Sequence, residues 1–327
     1  MKKLRFGIVG TGGIAHRFAE AIKNVEEAEL VAVASRKIET ADAFADEFGI
    51  PLRFGSYEEM AQSREIDCAY IATPHSLHKD CSILMLRGKK HVICEKPIAV
   101  NEREAAEMFS CAGENGCFLM EAMWARLVPG TIKLIDMIND GVIGEVRAAE
   151  GKFCYSFDED EMGHHALKNE NGGGSLLDVG VYGLAFSRWY LGEDVAEISA
   201  QCDTYNGTDS HTNIIMKYKN NALSYVSSAT LLRKPNEGFI YGTKGYIRVS
   251  RFYAPQEIEV CLNDGKNEKI STPYRGNGFE EQISHMCDCV NKGLRESPLN
   301  TKHSTLFVMR QMDEIRKIMG ISYPQDR

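Results

Sequence analysis

The stretch Leu4-Arg5-Phe6-Gly7-Ile8-Val9-Gly10-Thr11-Gly12-Gly13-Ile14-Ala15 decides how the whole chain is read. Leu4, Phe6, Ile8 and Val9 form a short apolar run, as expected of a strand buried on both faces. Gly10, Gly12 and Ala15 fit the pattern G-x-G-x-x-G/A, and a helical period follows through Ile14, Phe18, Ile22 and Val25. Strand, glycine turn and helix are the three parts of a dinucleotide site. Gly10 permits the tight turn, Gly12 lets the backbone approach a pyrophosphate, and the small Ala15 lets helix and strand pack closely. The pyrophosphate is expected over Thr11, Gly13 and Ile14, where the free N–H groups and the dipole of a helix start favour an anion.

Outward from this stretch, short strands and amphipathic helices alternate. Strands are expected at 29–35, 52–54, 66–72, 91–94 and 118–122, with helices between them, two opened by the capping pairs Ser56/Glu59 and Asn101/Glu104. This alternation predicts a doubly wound parallel sheet whose ligand crevice lies at the carboxyl ends of its strands. Gly10, Arg36, Thr73 and Glu95 all fall at such ends. The second strand ends in Ser35-Arg36 with no carboxylate, which suits a 2′-phosphate and so NADP, with NAD as the other possibility. The alternative is that Arg36 is a solvated surface residue. Thr73-Pro74-His75 and Glu95-Lys96-Pro97 complete the crevice edge. His75 and His78 stand three apart like metal ligands, but no third ligand of suitable spacing is visible, so no metal is expected.

Composition is that of an ordinary globular protein: 327 residues, 43% hydrophobic and 26% charged. The length suggests two domains, placed at residues 1–122 (dinucleotide-binding) and 123–327 (substrate-binding and oligomerisation). A formal net charge of −8 argues against nucleic acid and anionic membranes as partners. No run approaches the ~20 apolar residues of a membrane span. Met1-Lys2-Lys3 leads straight into the first strand, so no signal peptide is expected. The ten cysteines form no C-x-x-C pair, as in a reduced, cytoplasmic protein.

The G-x-G-x-x-A start, Ala72-Thr-Pro-His-Ser-Leu-His78 and Glu95-Lys96-Pro97 resemble the Gfo/Idh/MocA oxidoreductases. The resemblance covers nearly the whole chain. It implies an N-terminal Rossmann domain and an α+β C-terminal domain with a large, open, mostly antiparallel sheet. It also implies NAD or NADP as cofactor, hydride transfer at a carbinol carbon, and Lys96 near the nicotinamide and the substrate hydroxyl. Glu121-Ala-Met-Trp-Ala-Arg-Leu-Val-Pro129 resembles the dihydrodiol and xylose dehydrogenase branch, which would put Trp124 and Arg126 near cofactor and substrate. A core position is the equal alternative for Trp124.

Beyond Gly144 the pattern becomes strand after strand, with hairpin turns at 219–221 and 242–245. Helices at 279–290 and 306–319 are expected to cover one face of this sheet. Its other face is left for a second subunit, giving a homodimer or tetramer. One helix interrupts the strands. On it Asp178 and Tyr182 stand at i and i+4, sharing a face. The bland reading is a buried structural pair. Many family members carry Asp-x-x-x-His here, and the tyrosine resembles dihydrodiol dehydrogenase, glucose–fructose oxidoreductase and related xylose dehydrogenases. Lys96, Asp178 and Tyr182 are then the catalytic set. A free phenol, with pKa ~10, is a poor base at neutral pH, and a neighbouring ammonium would favour its phenolate. His78, Trp124, Phe153 and His165 are expected to meet the substrate. For His78 the alternative is a bond to a backbone group, and for His165, in the polar loop 158–171, it is plain solvent exposure. The substrate expected is a small sugar or cyclic diol. Two other readings remain: a cofactor-binding regulator without chemistry, and a sugar–sugar oxidoreductase with a tightly held cofactor.

Overall fold

A computed structural model describes residues 3–327, so Met1-Lys2 lie outside the described residues. The chain divides into two compact units. One comprises residues up to Trp124 with Arg275–Leu306, the other Ala125–Tyr274 with Phe307–Arg327. The expected boundary at 122/123 lies two residues from the first break. The return of 275–306 to the first unit has no counterpart in the sequence reading.

The first unit is a parallel sheet ordered β3-β2-β1-β4-β5-β6. Its strands are β1 (Leu4–Val9), β2 (Ala28–Ala34), β3 (Leu52–Phe54), β4 (Cys68–Ile71), β5 (His91–Glu95) and β6 (Leu119–Ala122). Phe6, Ile8 and Val9 are fully buried, as a central strand requires. Helices α1 (Gly13–Ile22), α2 (Ile38–Phe48), α3 (Tyr57–Gln62), α4 (His78–Arg87) and α5 (Glu102–Asn115) connect the strands. Ser56 Oγ accepts from Glu59 N at 3.2 Å and Asn101 Oδ1 from Glu104 N at 2.9 Å, so both expected caps form.

The second unit holds α6 (Pro129–Asn139), α7 (Val181–Leu191) and a sheet ordered β14-β13-β12-β11-β7-β10-β9-β8. These strands are β7 (Val146–Cys154), β8 (Val195–Tyr205), β9 (Thr208–Tyr218), β10 (Leu223–Ala229), β11 (Glu237–Gly242), β12 (Gly245–Ser250), β13 (Glu257–Leu262) and β14 (Asn267–Ser271). All pairings are antiparallel except β10 with β7. The polar β14 has no apolar alternation, so its sequence does not mark it as a strand.

The expectation that both late helices cover this sheet needs correction. Helix α8 (Phe279–Asn291) belongs to the first unit and packs on α1 and β2. Its apolar stripe carries Phe279, Ile283 and Met286, all fully buried, and such a stripe does not say which surface it covers. The second unit takes in Phe307–Met319 of α9 (Lys302–Met319), where Gln311 Nε2 reaches Met216 Sδ of β9 at 3.6 Å.

Candidate active site

In the first unit the crevice edge forms where the strands end. Gly10 sits at φ +101°, and a Cβ there would come 2.7 Å from the Ala72 carbonyl oxygen. A glycine is required on both counts. At Gly12 and Gly13 a Cβ would meet nothing within 4 Å. Gly12 is the N-cap of α1, with no side-chain cap and no acidic residue in the first turn. Open ground before uncapped N–H groups fits a dinucleotide pyrophosphate. Ala15 is fully buried, as close helix–strand packing needs.

Ser35 and Arg36 follow β2. Ser35 N donates to Phe54 O at 3.1 Å, and the exposed Arg36 lines a crevice of about 620 Å³ with Tyr57, Leu77, Cys81 and Leu84. Thr73 and His75 are buried at the end of β4, with Pro74 between them. His78 is fully buried. Its Nδ1 lies 2.8 Å from Pro97 O and its Nε2 2.9 Å from Thr73 O. Of the two roles expected for it, the backbone bond is the one observed: His78 ties the end of β4 to the turn that carries Lys96. Trp124 is 4% exposed, 5.2 Å from the Phe279 ring, and the Arg17 guanidinium lies over both rings.

Beneath Lys96 lie two buried carboxyls. Glu95 Oε1 accepts from Tyr70 Oη at 2.5 Å and Oε2 from Lys96 N at 3.2 Å, while burial raises its pKa against the pull of Lys96. Glu121 accepts from Ile98 N at 3.1 Å and from Thr305 Oγ1 at 3.0 Å. Burial pushes it from 4.5 up to about 7, against those bonds, and Glu95 adds to the rise. Between these two values the folded chain holds more proton than the unfolded one. Stability therefore falls as pH rises through that window, by up to about 3 kcal/mol. Glu121→Gln keeps an acceptor for Ile98 N and offers an amide donor to Thr305 Oγ1. Its unfolding free energy in urea is expected to fall less than the parent's between about pH 5 and about pH 8, since Glu95, raised by its own burial, is left to contribute. Parallel curves for variant and parent would contradict this.

In the second unit a π-helical turn, Leu176–Gly180, runs into α7 and carries Asp178, with Tyr182 one turn on. Asp178 Oδ2 accepts from Tyr155 Oη at 2.5 Å. Burial and the adjacent carboxylate hold the Tyr155 phenol well above its ordinary pKa, so it stays a neutral donor. Tyr182 is 6% exposed, with its ring 5.5 Å from Phe153 and 5.7 Å from Tyr253. Phe153 and Tyr253 stack at 3.8 Å. Phe153 is thus brought to Tyr182. His165 stands exposed in its loop, its ring 4.0 Å from His164. Arg126 is half-buried, and burial pulls its pKa below the ordinary value. Tyr155 and Tyr253 escaped the sequence reading. Phe153 and Tyr155 share a face by strand alternation, which was a readable signal; Tyr253 lies in an irregular stretch and gave none.

A glycine turn of dinucleotide type on a parallel sheet, and a helical stretch with Asp178 and Tyr182 over an antiparallel one, fit an NAD(P)-dependent oxidoreductase. Residues 4–123 match the oxidoreductase family, NAD-binding Rossmann fold, and residues 131–248 match the GFO/IDH/MocA C-terminal domain. The chain belongs to the Gfo/Idh/MocA family. It is 34% identical over 336 residues to a trans-1,2-dihydrobenzene-1,2-diol dehydrogenase of Mus musculus, covering 99% of each chain. To its namesake of Homo sapiens it is 30% identical over 339 residues, again covering 99% of each. A 3-ketoreductase from Actinomadura kijaniata, solved with NADP and TDP-benzene, superposes with a TM-score of 0.87 at 25% identity, over 97% of this chain and 98% of that one.

Proposed function

We propose that this oxidoreductase moves hydride between NADP and a carbinol carbon of a cyclic diol or sugar. The bound cofactor supplies the hydride acceptor. Tyr182 takes the hydroxyl proton as the C=O bond forms, Lys96 holds the hydroxyl oxygen, and Asp178, oriented by Tyr155, keeps the group aligned. The observation that carries this reading is Tyr182 on the helix that follows directly from the turn of Asp178, with Phe153 and Tyr253 beside the phenol. Aromatic walls suit a flat ring, which favours a dihydrodiol over an open polyol. The test is a steady-state screen of trans-1,2-dihydrobenzene-1,2-diol and aldoses with NADP. No turnover with any of them, together with no NADP binding, would end the proposal.

Arg36 is assigned to the 2′-phosphate, with support from its exposed place in the crevice after β2. Arg36→Ala is expected to weaken NADP about ten- to a hundredfold, the worth of one charge-assisted bond, and to leave NAD nearly unchanged. Titration of cofactor fluorescence checks it, and equal losses for both cofactors would show that Arg36 does not read the phosphate.

A second copy of the chain is proposed to cover the sheet face opposite α7. Ile215, Leu223 and Tyr246 stand there 52%, 47% and 39% exposed, a patch of the kind that marks an interface. Light scattering would settle the oligomeric state. A cytoplasmic location is supported by ten free cysteines.

A further inference from the structure

The segment that launches the catalytic helix is held from outside by two residues with no part in the chemistry described above. Asp209, on β9, is fully buried. Its Oδ2 accepts three hydrogen bonds at 2.7 Å, from Leu176 N, Ser175 Oγ and Thr212 Oγ1. Gly174, at φ +118°, passes so close that a Cβ there would lie 2.3 Å from Asp209 Oδ1. Tyr323, four residues from the C-terminus, donates from Oη to Gly173 O at 2.5 Å and lies under the Arg316 guanidinium, which is paired with Asp313 and Asp326. The tail grips the preceding loop at two further points, where Asn169 Nδ2 donates to Ser322 O and Gln325 Nε2 to Glu170 O. Asp178 N in turn donates to Gly174 O at 3.1 Å. Gly173, Gly174, Ser175 and Leu176 are thus fixed on both sides immediately before Asp178.

We propose that Asp209 and Tyr323 are positioning residues for the reaction: they clamp the Gly173–Leu176 segment and thereby set the direction in which Asp178 and Tyr182 are presented. A carboxylate oxygen that gathers a backbone N–H and two hydroxyls at a helix start fixes both the height and the rotation of the first turn. Three glycines, Gly172 to Gly174, precede that turn, and such a run does not hold one conformation by itself. Small displacements of reacting groups cost rate out of proportion to stability. The clamp acts through hydrogen bonding, so an amide oxygen at position 209 can serve where a methyl group cannot.

The inference rests on the catalytic roles given to Asp178 and Tyr182. The experiment therefore carries Tyr182→Phe beside the clamp variants in the full-length protein. The variants are Asp209→Ala, Asp209→Asn and Tyr323→Phe, assayed with NADP and whichever of trans-1,2-dihydrobenzene-1,2-diol or D-xylose the parent turns over. Asp209→Ala is expected to lower kcat about tenfold or more, and Tyr323→Phe about threefold or more, with KM and the Kd for NADP within about twofold. Asp209→Asn is expected to recover at least about a third of the parent kcat. Loss of kcat in proportion to folded protein, equal kcat for Asp209→Asn and Asp209→Ala, or an unchanged kcat in Tyr323→Phe would overturn the clamp. If Asp209→Ala does not fold, Tyr323→Phe decides alone. A fully active Tyr182→Phe would instead overturn the catalytic assignment, so the two failures are told apart.

Discussion

Tyr182→Phe is expected to lower kcat by about a hundred- to ten-thousandfold, the usual contribution of a positioned acid–base group, while NADP still binds within about twofold of the parent. The ring contacts at 5.5 and 5.7 Å to Phe153 and Tyr253 survive the change, so the aromatic cluster keeps its packing. Only the hydroxyl is lost. The cradle proposed for the cofactor, at Gly10, Gly12 and Gly13, belongs to the first unit and Tyr182 to the second. Parallel steady-state and cofactor-titration series on parent and variant check both halves. A variant within about threefold of the parent kcat would place the proton on another group.

Gly12→Val is expected to weaken NADP by about a hundredfold or more and to change the melting temperature by only a few degrees. The two parts have separate causes. A Cβ at Gly12 meets nothing within 4 Å, and the backbone there, φ −77° and ψ 178°, is ordinary extended chain. The fold therefore accepts the side chain, while the isopropyl group would block the approach proposed for the pyrophosphate to the N–H groups of α1. Gly10→Ala gives the contrast. With φ at +101° and the Ala72 carbonyl 2.7 Å from the new Cβ, it is expected to lose the fold rather than the ligand. Calorimetry and cofactor titration on the two variants separate the effects. Unchanged NADP affinity in Gly12→Val would remove the pyrophosphate from this turn.

How much of this was legible in the sequence depends on the range of the interaction concerned. The first sheet was readable because each strand is a short apolar run and each connection a helical period, and the glycine turn carries its own backbone demand. The glycines, Ser35-Arg36 and Glu95-Lys96-Pro97 could be placed on one edge from topology alone. That Asp178 and Tyr182 lie on one helical stretch was readable from the sequence pattern, although the turn that carries Asp178 is a π turn, which spacing does not reveal. The Tyr155–Asp178 bond joins residues 23 apart, and the Asp209 contacts with Ser175 and Leu176 span 34 and 33 positions. Nothing local in the sequence signals such bonds. The α8 expectation failed for the same reason: an apolar helix face states that it is covered, not by what. His78 shows the converse limit. The sequence left its role open between substrate or cofactor and a backbone bond, and its two nitrogens lie on the carbonyls of Pro97 and Thr73.

The central claim is that a hydrogen leaves a carbinol carbon as hydride and arrives on NADP. The most direct measurement uses trans-1,2-dihydrobenzene-1,2-diol or an aldose deuterated at that carbon, with mass spectrometry of the reduced cofactor after incubation with the full chain. The account predicts deuterium on the nicotinamide ring of NADPH and a slowed turnover. Reduced cofactor without deuterium, or no reduction of bound NADP by any diol or aldose, would contradict it.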